Sequence, residues 1–129
     1  MNRIKISGLA LALTALLALG IAASAIAYES HGCPYENACG WVNGSFTGGK
    51  QYWGGNAEYL AYWGNPECQE GNWSDCISSL TNNGKECNAY WHQGGAYQGN
   101  YYTNDRDTGT GTLTGGWNDS FKSLKWCSA

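Results

Sequence analysis

Past residue 27 the chain contains no long aliphatic run, which at this size leaves only a marginal hydrophobic core. No apolar period of 3.6 persists there over a helical length, and that excludes a helical bundle. Basic residues are scarce. The seven Lys and Arg fall to five (Lys50, Lys85, Arg106, Lys122 and Lys125) once Arg3 and Lys5 are set aside, against ten Asp and Glu. A nucleic-acid partner requires a basic face that displaces counterions from phosphates, and an anionic membrane surface requires the same, so neither is expected. No Cys-x-x-Cys pair occurs and His31 and His92 fall at no ligand-like spacing, which argues against zinc. There is no Gly-x-Ser-x-Gly elbow and no triad context for either His. Two carboxylates facing each other across a cleft, as glycoside hydrolysis needs, have little room in so small a domain. The chain is expected not to be an enzyme.

What is present begins with a leader. Arg3 and Lys5 precede an apolar run over residues 9–21 broken only by Thr14, and Ala25-Ile26-Ala27 supplies a small-x-small cleavage pattern. This reads as a secretory signal peptide over residues 1–27, with cleavage after Ala27 or, alternatively, Ala25. A membrane anchor is the rival, but the run barely reaches the roughly 20 residues a span needs and lacks a basic stop-transfer cluster. The expected product is one small acidic domain, residues 28–129, secreted, extracellular and monomeric.

All six cysteines lie in that exported part. An even count in a small secreted chain reads as three disulfide bonds, for which fifteen connectivities exist. The expected pairs are Cys33–Cys39 closing a short loop, Cys68–Cys76 stapling the segment before Ile77, and Cys87–Cys127 tying the second half from start to end. Each bridge contributes roughly 2–4 kcal/mol where the core is thin.

The chain repeats itself. GNWSDCISSL over residues 71–80 and GGWNDSFKSL over residues 115–124 share Gly71/Gly115, Trp73/Trp117, Asp75/Asp119, Ser79/Ser123 and Leu80/Leu124. Phe46-Thr47-Gly48 precedes the first copy and Tyr97-Gln98-Gly99 the second. Two related units are expected, about residues 33–84 and 85–129. Short aromatic and β-branched segments between Gly and Asn turns predict an all-β domain. Strands are expected over residues 39–42, 50–53, 58–63, 87–92 and 97–103, with a polar loop over 104–111 and at most a short helical turn before each repeated Trp. The interval from Gly48 to Trp73 exceeds that from Gly99 to Trp117 by seven residues, so the first half carries an extra loop near Pro66 and Cys68.

Trp41-Val-Asn-Gly-Ser-Phe46-Thr-Gly48 resembles the aromatic-x4-aromatic-x-Gly signature of a βγ-crystallin Greek-key motif, with residues 92–99 as its counterpart and His92 in the first aromatic's place. The resemblance implies a folded hairpin whose Gly takes positive φ. It implies a later Ser, here Ser79 and Ser123, bonding back to each hairpin, and a β-sandwich of two motifs. The leader, Cys-Pro-x4-Cys-x-Trp, the repeated Trp segments and the C-terminal Cys also resemble the bacterial secreted peptidase inhibitor family typified by the Streptomyces metalloproteinase inhibitor.

That resemblance implies a secreted proteinase inhibitor of a metallo- or serine endopeptidase, with an extracellular protease as partner. An inhibitor presents a loop already held extended, so that little entropy is lost on binding. Trp63, Gly64, Asn65, Pro66, Glu67, Cys68 and Gln69 form the expected loop, with residues 104–109 the second choice. The alternative is a calcium-binding, structural or antimicrobial crystallin-type module without inhibitory activity. Crystallin calcium sites resemble [N/D]-[N/D]-x-x-[S/T]-S, and oxygen ligands suit this hard cation. Here Ser74 replaces the opening Asn/Asp and Lys122 replaces a ligating hydroxyl, so at most one calcium ion is expected, drawing on Asp75, Ser78, Asn118 and Asp119. Trp53, Tyr59, Tyr62, Trp63, Tyr101 and Tyr102 offer faces on which a carbohydrate could stack, but use as core and cross-strand partners is the commoner role of such residues and the expected one.

Overall fold

The structure is a computed structural model that describes residues 28–129. The expected signal peptide lies outside the described residues. Seven strands form: β1 (Asn37–Asn43), β2 (Thr47–Trp53), β3 (Ser79–Asn83), β4 (Ala89–His92), β5 (Tyr101–Asn104), β6 (Thr108–Thr110) and β7 (Ser123–Trp126). One sheet has the order β2-β1-β3-β6 and the other β5-β4-β7, with every named pair antiparallel. No helix of the described residues is long and apolar enough to cross a membrane.

The two halves are built alike and interlock. β1, β2 and β3 come from the first half, yet β3 pairs on its outer side with β6 from the second, Leu80 opposite Thr110. The reverse exchange is a single residue. Ala57 of the first half bridges Leu124 of β7 through two backbone bonds of 2.8 and 2.9 Å. Leu80 and Leu124 are the last shared residues of the repeat, so sequence duplication and strand exchange coincide. This is the two-motif Greek-key sandwich that the βγ-crystallin resemblance implies.

Between the sheets lies one aromatic-rich core. Trp53 is its hub: its ring meets Trp63, Trp73 and Trp91 edge-on, with centroids 5.6–6.0 Å apart. Edge-to-face packing suits rings whose faces are electron-rich and edges electron-poor. Leu60, Ile77, Leu80, Phe121 and Leu124 fill the remainder, all fully buried. Disulfides join Cys33 to Cys39, Cys68 to Cys76 and Cys87 to Cys127, the pairs read from the repeat, and no cysteine among the described residues is free.

Three expectations fail locally. The strand expected over residues 97–103 starts only at Tyr101, because Tyr97 and Gly99 take left-handed backbone in the folded hairpin. Residues 58–63 do not form a strand; a 3-10 turn at Leu60–Tyr62 replaces it. Leu60 is buried while Tyr62 is exposed, and the chain needs only one residue of strand, Ala57, before it turns away. The loop over residues 104–111 contains β6, which crosses from the sheet of β5 to that of β3. A 3-10 turn does occur at Gly115–Trp117, but no helical turn precedes Trp73.

Candidate functional site

The folded hairpins come first, because they position everything on the surface between them. In the first, Ser45, Phe46 and Gly48 have φ of 56°, 57° and 78°; in the second, Ala96, Tyr97 and Gly99 have 50°, 60° and 78°. Left-handed backbone at non-glycine residues is costly and must be held from outside. The holder is the repeated serine. Ser79 Oγ donates to Asn43 O (2.7 Å) and accepts from Phe46 N (3.0 Å); Ser123 Oγ donates to Gly94 O (2.6 Å) and accepts from Tyr97 N (3.1 Å). Both serines are fully buried.

His92 stands where the first motif has Trp41. Trp41 packs edge-on against Phe46, and His92 likewise against Tyr97 at 6.2 Å, with Tyr101 on its other side. The side chain is 2% exposed, and neither ring nitrogen has a well-aligned hydrogen-bond partner among the described residues. Burial lowers its pKa below the usual histidine value and the positive charge of Lys125 adds to this, with a backbone contact at Gly99 working the other way. The folded state therefore favours neutral imidazole, while the unfolded chain protonates near 6.5. The stability is present above that value and is lost as pH falls through the depressed folded value. We expect the melting temperature to decline as pH drops from about 7 to about 5 and the decline to be largely absent in His92→Phe, measured by thermal denaturation.

The repeated aspartates cross over between the halves. Asp75 N donates to Phe121 O (2.8 Å) and Asp119 N donates to Ile77 O (3.0 Å), a reciprocal pair in which Ile77 and Phe121 are themselves equivalent. Both aspartates have positive φ, 55° and 51°. Their side chains then part company. Ser78 Oγ donates to Asp119 Oδ1 (3.1 Å), and Asn118 Nδ2 donates to the other Asp119 oxygen (3.0 Å). At the equivalent place Lys122 Nζ donates to both carboxylate oxygens of Asp75. An ammonium group thus holds the position a cation would take beside Asp75, and that half does not fit calcium. Ser78, Asn118 and Asp119 remain as oxygen donors on the other side, where calcium would need backbone carbonyls or waters besides to reach its six to eight ligands. Among the described residues no group of three or more His, Cys, Asp or Glu is arranged to hold a metal ion.

The extra loop of the first half is the most heavily braced exposed segment. Cys68–Cys76 closes it covalently, Gly64 bridges Asn72, and Asn65 N donates to Gly71 O (2.9 Å) and Trp73 N to Trp63 O (3.0 Å). Inside it, Cys68 N bonds Asn65 O and Gly71 N bonds Cys68 O. Asn65 Oδ1 accepts from Glu67 N (3.0 Å), and the Glu67 carboxylate accepts from Gly49 N on β2. The seven expected residues therefore divide. Trp63, Asn65 and Cys68 are inward anchors; Gly64, Pro66, Glu67 and Gln69 are exposed, and Glu70 and Gly71 join them. The backbone is not extended along the loop. Two successive tight turns, from Asn65 to Cys68 and from Cys68 to Gly71, replace the extended form expected of an inhibitor. A groove of about 390 Å³ beside the loop is lined by Glu67, Glu70, Asp75, Ser78 and Asp119, so this face is acidic. The second-choice loop over residues 104–109 has buried Asn104 and passes into β6, so it is part of the framework.

Two sheets that exchange strand β6 one way and the Ala57 bridge the other, two left-handed hairpins and a serine latch on each define a βγ-crystallin fold. Solved structures carry the same architecture. A domain from work on the evolution of the eye-lens βγ-crystallin fold superposes with a TM-score of 0.62 at 18% identity, covering 76% of this chain and 92% of that one. A βγ-crystallin from Ciona intestinalis matches with a TM-score of 0.56 at 16% identity, covering 70% and 98%. A βγ-crystallin domain from Flavobacterium johnsoniae matches at 0.54 and 20% identity, covering 70% and 93%. No protein-family model matches the chain, and no curated protein matches it in sequence.

Proposed function

We propose that this protein is a secreted proteinase inhibitor that presents the loop closed by Cys68–Cys76 to an extracellular metallo- or serine endopeptidase. The observation that supports this reading is the bracing of the loop. Its exposed residues are fixed by a disulfide, a β-bridge and the Glu67 carboxylate accepting from Gly49 N on the adjacent strand, so binding orders little that is not already ordered. Glu67 and Glu70 suit a target whose binding rim is basic, since complementary charge speeds encounter and fixes register. The tight turns argue for blocking the protease cleft with a rigid knob instead of lying in it as a substrate strand.

The calcium-module reading is less well supported. Lys122 already neutralises Asp75, and the Ser78–Asp119 pair is bonded within the protein.

The test is a titration of the protein, expressed from the full chain with disulfides formed, into thermolysin-like and subtilisin-like proteases. Stoichiometric inhibition is expected for one of the two classes. A variant shortened by deletion of Gln69 and Glu70, which keeps the Cys68–Cys76 bridge, is expected to lose it while remaining folded by circular dichroism. No inhibition of either class, or inhibition untouched by shortening, contradicts the proposal.

A further inference from the structure

The two halves differ at one matching corner, and the difference leaves a second surface open. In β1–β2, Trp41 lies opposite Lys50; in β4–β5, His92 lies opposite Tyr101, so Lys50 matches Tyr101 and Gly49 matches Asn100. Trp73 matches Trp117 by the repeat. In the first half this corner is filled. The braced loop lies over Gly49, with Glu67 and Asn65 close to it, and Trp73 is only 2% exposed. The second half lacks the seven extra residues. There Trp117 is half-exposed, and an open groove of about 510 Å³ is lined by Gln93, Gly99, Asn100, Tyr101, Gly116 and Trp117.

We infer that this groove binds a neutral oligosaccharide. Its lining contains no ionisable side chain except the Tyr101 phenol, so nothing in it recognises a charged ligand. Two aromatic rings and two amides do suit a pyranose, which packs its C–H faces on aromatic rings while its hydroxyls exchange hydrogen bonds with amides. Both rings are held in place. Trp117 stacks on Phe121 and meets Tyr102 edge-on, and Tyr101 packs against Tyr90 and His92. Tyr101 nevertheless stays 47% exposed. The amides are arranged for use. Gln93 Nε2 donates to Gly116 O (2.8 Å) and Ser120 Oγ (3.0 Å), which fixes the side chain. Its Oε1, and the whole Asn100 amide, make no hydrogen bond among the described residues. The fixed rings and the fixed Gln93 amide lower the ordering cost of binding a flexible sugar chain. Tyr59 and Tyr62 are exposed too, but they pack on each other and neither lines this groove, while Trp53 is buried.

The experiment uses the protein expressed from the full chain, with disulfides formed, and neutral hexasaccharides of glucose, N-acetylglucosamine, mannose and xylose, with hexagalacturonate as the charged control. Binding is followed by the seven Trp indole N–H resonances, Trp117 being assigned through Trp117→Phe. At least one neutral hexasaccharide is expected to shift the Trp117 resonance, and hexagalacturonate to leave it in place. Tyr101→Ala and Asn100→Ala, both at exposed positions, are expected to weaken binding about tenfold or more, and Tyr52→Ala, exposed on β2, to leave it unchanged. The proposal is overturned if no neutral hexasaccharide shifts Trp117 at about 10 mM, well above a millimolar dissociation constant. It is also overturned if the shifts fall on other tryptophans, if the charged sugar binds as well, or if Tyr101→Ala binds like the parent. Protease inhibition plays no part in the readout, so failure here leaves the loop proposal standing.

Discussion

Trp53→Ala is expected to destabilise the domain by about 3–5 kcal/mol, the usual cost of truncating a buried Trp in a packed core. Small domains have roughly 5–15 kcal/mol in total, so this single change removes a large part of the stability. The reason is geometric. Trp53 touches Trp63, Trp73 and Trp91 edge-on, linking the loop anchor, the repeat and the second sheet through one ring. Truncation leaves three aromatic neighbours facing a void too rigidly walled to collapse. Its indole Nε1 is buried without a partner among the described residues, so no hydrogen bond within the protein is lost. Urea denaturation measures it, with Tyr52→Ala, the exposed neighbour, as a control expected to stay within about 0.5 kcal/mol.

The second large effect concerns the latches. Ser79→Ala and Ser123→Ala each leave one part-buried N–H and one carbonyl without their partner, at about 1–2 kcal/mol per group, the lower part of the range for groups shielded from water. Each variant is expected to lose roughly 2–4 kcal/mol, and by similar amounts, because the two hydroxyls make matching bonds. They share no partner, so the losses should add in the double variant. That variant is expected to be largely unfolded in water, as circular dichroism and urea curves would register. Unequal losses, with one serine dispensable, would mean that one hairpin holds its left-handed backbone by other means.

Much of this architecture could be read from residues, because duplication leaves matching marks. The serines, the glycines at positive φ, the shared Leu80 and Leu124 and the extra loop near Pro66 each sit where the repeat places them. What could not be read depends on contacts across the sandwich. β6 is three residues with a central Gly109 and gains its place only by pairing with β3, so no local pattern marks it. Residues 58–63 look like a strand from composition, but Leu60 turns inward and one residue, Ala57, makes the exchange. The Lys122–Asp75 pair was legible as a mismatch with a calcium motif, but not as a bond across the two halves. The exposure of Trp117 follows from the seven residues the second half lacks, but only once the structure shows that the extra loop covers this corner. Its equivalent Trp73 is sealed, and the difference lies in a loop contributed from elsewhere in the chain.

The role assigned to the braced loop is tested most directly by the inhibition constant of the parent protein beside that of Cys68→Ser/Cys76→Ser, measured against whichever protease class the parent inhibits. Rigidity held by the disulfide predicts tight stoichiometric inhibition by the parent and weakening by about 100-fold or more, near 3 kcal/mol, once the staple is gone. Equal inhibition by the two proteins, or none by the parent, would contradict it.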